Sequence, residues 1–124
     1  MVMHMDHQVG LILDRLEALG IRDNTLILFT SDNGGAYEAD IGPYRGGKTD
    51  LHEGGIRVPG IVSWPGRMAP GDENHMFMHH TDILPSCCEA AGVKPPEGLD
   101  GRSLVGAWAE GEWIDDRGPV FWQM

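Results

Sequence analysis

No run of apolar residues in this 124-residue chain approaches the roughly 20 that a membrane-spanning helix requires, so no membrane partner is expected. Positive charge is also scarce. Nine Lys and Arg against 19 Asp and Glu leave a formal net charge of -10, which argues against nucleic acid or an anionic membrane surface as a partner. Cysteine is nearly absent: Cys87 and Cys88 are adjacent and have no distant partner. That excludes a disulfide framework and predicts two buried free thiols. The opening residues MVMHMDHQVG lack a basic stretch followed by an apolar one, so no signal peptide is expected in this chain and a cytoplasmic location is the default. Repeats and low-complexity tracts are missing too. What is present, 41% apolar and 23% charged residues over the length of one ordinary domain, describes a folded globular chain.

Residues 6 to 19 carry a helical pattern, with Val9, Ile12, Leu13, Leu16 and Leu19 on one apolar face. Asp6 is placed to cap its start, and Gly20 stands where a helix end favours a residue tolerant of positive φ. The run Thr25 to Thr30 is short, apolar and partly β-branched, the pattern of a central strand covered on both faces. Residues 31 to 55 then show neither period. A stretch of about 25 residues with seven glycines is too long for an ordinary connection and reads as a functional loop. Residues 56 to 64 predict a second strand, with Pro59 implying a bulge or an edge. Residues 82 to 91 predict a second helix with Thr81 as N-cap, Pro85 in the first turn and Gly92 as the stop. The tail GPVFWQM begins as a strand might. Helix, strand, long loop, strand, helix is the order of an α/β layer structure, in which ligands bind outside the carboxyl ends of the strands.

Asp32 and Asn33 stand at that end of the first strand, in LILFTSDNGG. Asn-Gly is a strong hairpin signal, but GAYEADIGPYRGG offers no second alternating strand to complete one. The alternative is a metal site, because hard cations such as Ca²⁺ are held by Asp carboxylates and Asn carbonyl oxygens. Downstream, GPYRGGKTDLHEGGIRVP places glycine pairs on both sides of Lys48, which lets backbone come close to a ligand while the lysine brings a compact positive charge.

With those stretches in hand, TSDNGG, then GPYRGGKTDLHEGGIRVPGIVSWPG, then HTDILPSCCEAAGV and LDGRSL together resemble the later part of the sulfatase family, within the alkaline phosphatase-like superfamily. The resemblance runs from about Met5 to the C-terminus. It implies a single partial sulfatase-like domain over residues 1–124, with about 5–94 matching the later part of the catalytic domain and 95–124 beginning the C-terminal segment. It implies hydrolysis of sulfate esters by a formylglycine nucleophile beside a bound calcium. On that resemblance Asp32 and Asn33 match one pair of calcium ligands, and Lys48 matches the lysine that contacts the sulfate oxygens. Glu53 and Arg57 also match and read as a structural pair holding the loop. His52 stands where the family more often has an aromatic residue.

The family's nucleophile string, C/S-x-P-S/A-R, does not occur. Cys87 and Cys88 are followed by Glu-Ala-Ala, and Ser63-Trp64-Pro65-Gly66-Arg67 fits only loosely, in a stretch where the family has a WPG turn. His75, His79, His80 and Asp82 cluster without any standard metal-ligand spacing and read as structural, with the Asp in a capping role. Trp108, Trp113 and Trp122 read as packing residues. The expectation is a sulfuric ester hydrolase fragment holding half a calcium site, inactive alone. The alternatives are a relative acting on phosphodiesters or phosphonates, and a non-catalytic module that pairs its exposed sheet edges with another copy or with a complementing N-terminal half.

Overall fold

The computed structural model describes residues 1–36, 39–113 and 117–123. Its elements follow the order helix α1 (Val2–Ala18), a 3-10 turn (Arg22–Asn24), strand β1 (Ile27–Thr30), the short helix α2 (Glu53–Ile56), strand β2 (Gly60–Ser63), a second 3-10 turn (His80–Asp82), helix α3 (Ile83–Ala90) and the short helix α4 (Val105–Ala109). β1 and β2 are hydrogen-bonded neighbours in a two-stranded sheet. This is the helix–strand–loop–strand–helix order expected of a partial α/β layer.

The chain divides into two compact units, Met1–Ile27 with Ser63–Asp115, and Leu28–Val62 with Asp116–Met124. In the first unit α1 and α3 end by the same device. Gly20 and Gly92 adopt φ of +66° and +68°. The amide of each donates to the carbonyl three residues back, and the next amide donates five back: Gly20 to Glu17 and Ile21 to Leu16, Gly92 to Glu89 and Val93 to Cys88. This is a Schellman closure, and it satisfies carbonyls that would otherwise end the helix unpaired.

The starts of these helices differ from expectation. α1 begins at Val2 with Met1 as N-cap, so Asp6 lies inside the helix. Extra turns cost little here because no Pro or Gly interrupts residues 2 to 6. The N-cap of α3 is Asp82; the 3-10 turn before it is capped by His79, whose side chain accepts from the Thr81 amide while the Asp82 carboxylate accepts from the His79 amide. Thr81 lies within the 3-10 turn.

The core of this unit is small and partly polar. Among the described residues its buried apolar side chains are Trp64, Leu104 and Ala107, joined by Asp82 and Ser86 at 0% exposure. Asp82 accepts from the backbone amides of His79 at 2.8 Å and Arg102 at 3.1 Å. The Ser86 hydroxyl donates to the Asp82 carbonyl at 2.6 Å and accepts from the Leu104 amide at 3.0 Å. Buried polar groups persist only when partnered in this way. Together these bonds fasten the 3-10 turn, α3 and the segment before α4. Cys87 and Cys88, on α3, are exposed and half-buried respectively, so the buried thiols expected from composition are not found. Pro85 and Ser86 are the α3 residues turned inward instead. Trp113 is 66% exposed, which corrects its reading as a packing residue. Residues 118–123 form no strand, and Met124 lies outside the described residues.

Candidate metal and anion site

The second unit is built round a glycine-mediated backbone clasp. After β1 the chain turns through Ser31 to Gly35, with the Ser31 hydroxyl donating to the Asn33 carbonyl at 2.8 Å. Two amide bonds of 2.8 Å then join this turn to the distal loop: Gly34 donates to the Gly55 carbonyl, and Lys48 donates to the Gly35 carbonyl. A third, from Gly54 to the Arg45 carbonyl at 2.8 Å, draws the two arms of the loop together. The approach is too close for side chains. A Cβ on Gly34 would overlap the carbonyl of Gly54, and one on Gly55 would overlap the carbonyls of Asp50 and Gly47. That is the physical reason for glycine at these positions.

Lys48 occupies the second position of a tight turn. The Asp50 amide donates to the Gly47 carbonyl at 2.9 Å, and the Asp50 carboxylate accepts from the Gly47 amide at 3.2 Å. Thr49, at the third position, has φ +81° and is the one non-glycine residue with positive φ among those described. A left-handed third position is the mark of a type II turn, which normally takes Gly or Asn. A β-branched residue there is strained.

The sequence-derived residues lie in one unit. Asp32 and Lys48 are exposed and Asn33 is half-buried. None of the three side chains has a hydrogen-bond or ion-pair partner among the described residues, although the backbone on either side of them is clasped. Glu53 and Arg57 form the expected pair, 3.4 Å apart across one turn of α2, and Arg57 also lies over the Tyr44 ring at 5.0 Å. Both charges are more than half exposed, so the pair contributes mainly by tying the loop arm to α2. His52 is the N-cap of α2 and makes no side-chain cap bond. Sequence reasoning passed over Thr49 and Asp50, the residues that shape the lysine turn. The signal was available in Gly47-Lys-Thr-Asp50, since Asp side chains commonly bond backbone within a turn.

Two further groupings fall away. Ser63 accepts a hydrogen bond from Arg22, and Gly66 of the WPG turn donates to the Asp23 carbonyl at 3.2 Å, so the Ser63–Arg67 string serves as a structural turn. His79 and Asp82 are engaged in the capping box of the 3-10 turn that leads into α3.

Asp32 and Asn33 suit a hard cation in kind but not in number. Calcium takes 6 to 8 oxygens. Among the described residues no group of three or more His, Cys, Asp or Glu side chains converges to hold a metal. The same residues also contain no helix long and apolar enough to cross a membrane.

The α/β chain thus sets oxygen donors just past a strand end, clasped by glycines to a lysine turn. The sulfatase family model matches residues 1–93. The chain belongs to the sulfatase family, whose members generally bind a divalent metal. It is 41% identical over 117 residues to the steryl-sulfatase of Rattus norvegicus, covering 84% of this chain and 20% of that one. It is 37% identical over 129 residues to the N-acetylgalactosamine-6-sulfatase of Mus musculus, covering 98% and 24%. The solved structure of Ps i-CgsB in complex with k-i-k-neocarrahexaose superposes at TM-score 0.77 with 35% identity, covering 86% of this chain and 25% of that one. Residues 1–124 thus span about a quarter or less of the relatives they match.

Proposed function

We propose that this chain forms the later part of a sulfuric ester hydrolase, in which Asp32 and Asn33 supply two oxygen donors to calcium and Lys48 binds the sulfate group. The reading rests on one observation above the others. The amide bonds from Gly34 to Gly55 and from Lys48 to Gly35 hold both segments by backbone, leaving three side chains of the right chemistry without partners among the described residues.

The residues present divide the work. The Lys48 ammonium, on a turn fixed by Asp50, would lie against negative charge on the sulfate and on the departing oxygen, where a preorganised cation lowers a barrier most. The Asp32 carboxylate and the Asn33 amide oxygen would hold hard-cation charge close to the same group. A divalent cation, when bound, supplies Lewis-acid neutralisation of the ester oxygens. Glu53, Arg57 and Tyr44 brace the loop.

Residues 1–124 offer two cation donors and no nucleophile string, so the isolated polypeptide is expected to release no nitrophenol from nitrophenyl sulfate. Calcium titration by calorimetry, on the chain and on Asp32→Ala, tests the site itself. Saturable binding that vanishes in the variant supports the assignment. Binding that survives Asp32→Ala assigns the cation elsewhere. Measurable calcium-dependent hydrolysis by the isolated chain, lost in Lys48→Ala, would overturn the expectation of inactivity.

A further inference from the structure

Thioether and imidazole side chains are concentrated in two short stretches of this chain. MVMHMDH, residues 1–7, and HMFMHH, residues 75–80, together hold five of the seven methionines and five of the six histidines. The second stretch is already engaged, since the His79 side chain closes the capping box before α3 and Phe77 stacks on its ring. Packing does not account for the first. Met3 is 87% exposed, and His4 and His7 are exposed beside it. Within α1 these three residues stand at positions i, i+1 and i+4, and at about 3.6 residues per turn they fall within an arc of about 100°. His7 lies one turn above the other two, the spacing at which helical side chains are neighbours, with Cβ atoms about 5–6 Å apart. Neither imidazole has a hydrogen-bond or ion-pair partner among the described residues. Val9, Leu13 and Leu16, all half-buried, lie on the opposite face of the helix. The Met3–His4–His7 face therefore looks away from the side on which α1 packs and is open to solvent.

The donor set selects the ion. Calcium takes oxygen ligands, and these three side chains offer none. Zinc is held by three or four His, Cys or carboxylate groups. Among the described residues no third His, Cys, Asp or Glu joins the two imidazoles. A thioether beside imidazole is instead the combination that soft Cu(I) accepts. The start of a helix is the less favourable end for a cation, and a singly charged ion suffers least there. We propose that Met3, His4 and His7 form a surface site for Cu(I), bound through one thioether and two imidazoles. The site lies in the first compact unit, whereas Asp32, Asn33 and Lys48 lie in the second. Cu(I) binding and the calcium and sulfate reading can therefore fail independently.

The test uses the chain with Cys87→Ser and Cys88→Ser, because accessible thiols compete for the same ion. Cu(I), kept reduced by ascorbate under nitrogen, is titrated into protein with isotope-labelled methionine methyl groups and followed by NMR. The Met3 methyl signal, assigned by its loss in Met3→Leu, should shift and saturate at one equivalent, while that of Met68 stays in place. Competition against bicinchoninate reads the affinity, which should fall at least ten-fold in Met3→Leu and in His7→Ala. Leu is as good a helix former as Met, so Met3→Leu removes the sulfur and leaves α1 intact. Zn(II) and Ca(II) at the same concentration should leave the Met3 methyl unmoved. An unmoved Met3 methyl with Cu(I) overturns the proposal, as does an affinity indifferent to either substitution. Shifts confined to Met76 and Met78 overturn it by assigning the ion to residues 75–80. An equal response to Zn(II) overturns the choice of ion.

Discussion

Asp82 and Asp32 are chemically the same residue in opposite circumstances. Asp82 is fully buried, and its two carboxylate oxygens accept from the amides of His79 and Arg102, one close in sequence and one 20 residues away. Asp32 is exposed, and its carboxylate has no partner among the described residues, while the backbone just beyond it is clasped by Gly34 and Gly55. In the first unit the side chain is consumed in holding the fold. In the second, glycine backbone does the holding, and the charged side chains are left for something else. A carboxylate that a fold does not use is a better candidate for chemistry than one it does.

The largest expected effect tests that contrast directly. Asp82→Ala strands two part-buried amides that donate to the carboxyl of a fully buried residue, and should lower stability by about 3 kcal/mol, read as a fall in the urea midpoint. Asp32→Ala should stay within about 0.5 kcal/mol, as surface substitutions do. If the two variants unfold alike, the division into structural and available carboxylates is wrong. A smaller but still large loss is expected from Gly55→Ala, whose new methyl would overlap the carbonyls of Asp50 and Gly47. A cost of about 2 kcal/mol is typical of such overpacking. Limited proteolysis should then cut the loop of residues 39–55 faster than in the parent. Cleavage at the parental rate would mean that the clasp is not what orders the loop. The smallest effect has the opposite sign. Thr49→Gly removes a left-handed β-branched residue and should raise stability by about 1 kcal/mol. A loss instead would show that the threonine side chain holds the lysine turn in a way its backbone angle does not reveal.

How much of this was legible depended on how local the cause was. Gly20 and Gly92 were readable as helix stops because a Schellman closure involves only residues within one turn and a half of the glycine. The positions of Asp32, Asn33 and Lys48 at a strand end and within a glycine-rich loop were readable for the same reason. The pairing of Glu53 with Arg57 spans one helical turn, and it too could be anticipated. The starts of α1 and α3 were misread: Asp6 and Thr81 are good caps by chemistry, but α1 begins after Met1 and α3 after Asp82, with Thr81 drawn into the 3-10 turn that the His79 side chain caps. The cysteines were misplaced because burial on α3 is decided by which face meets Leu104, which no period in an eight-residue helix reveals.

The sequence by itself determined the order of elements, the glycines where backbone must touch backbone, and the residue types able to meet a cation and an anion. Those properties follow from dihedral preference and from chemistry carried by each side chain. Only the tertiary structure decided which polar groups are used up and which remain available. That depends on backbone groups arriving from far along the chain, as the Arg102 amide does at Asp82 and the Gly55 carbonyl does at Gly34. Such arrivals are set by packing, not by any local pattern.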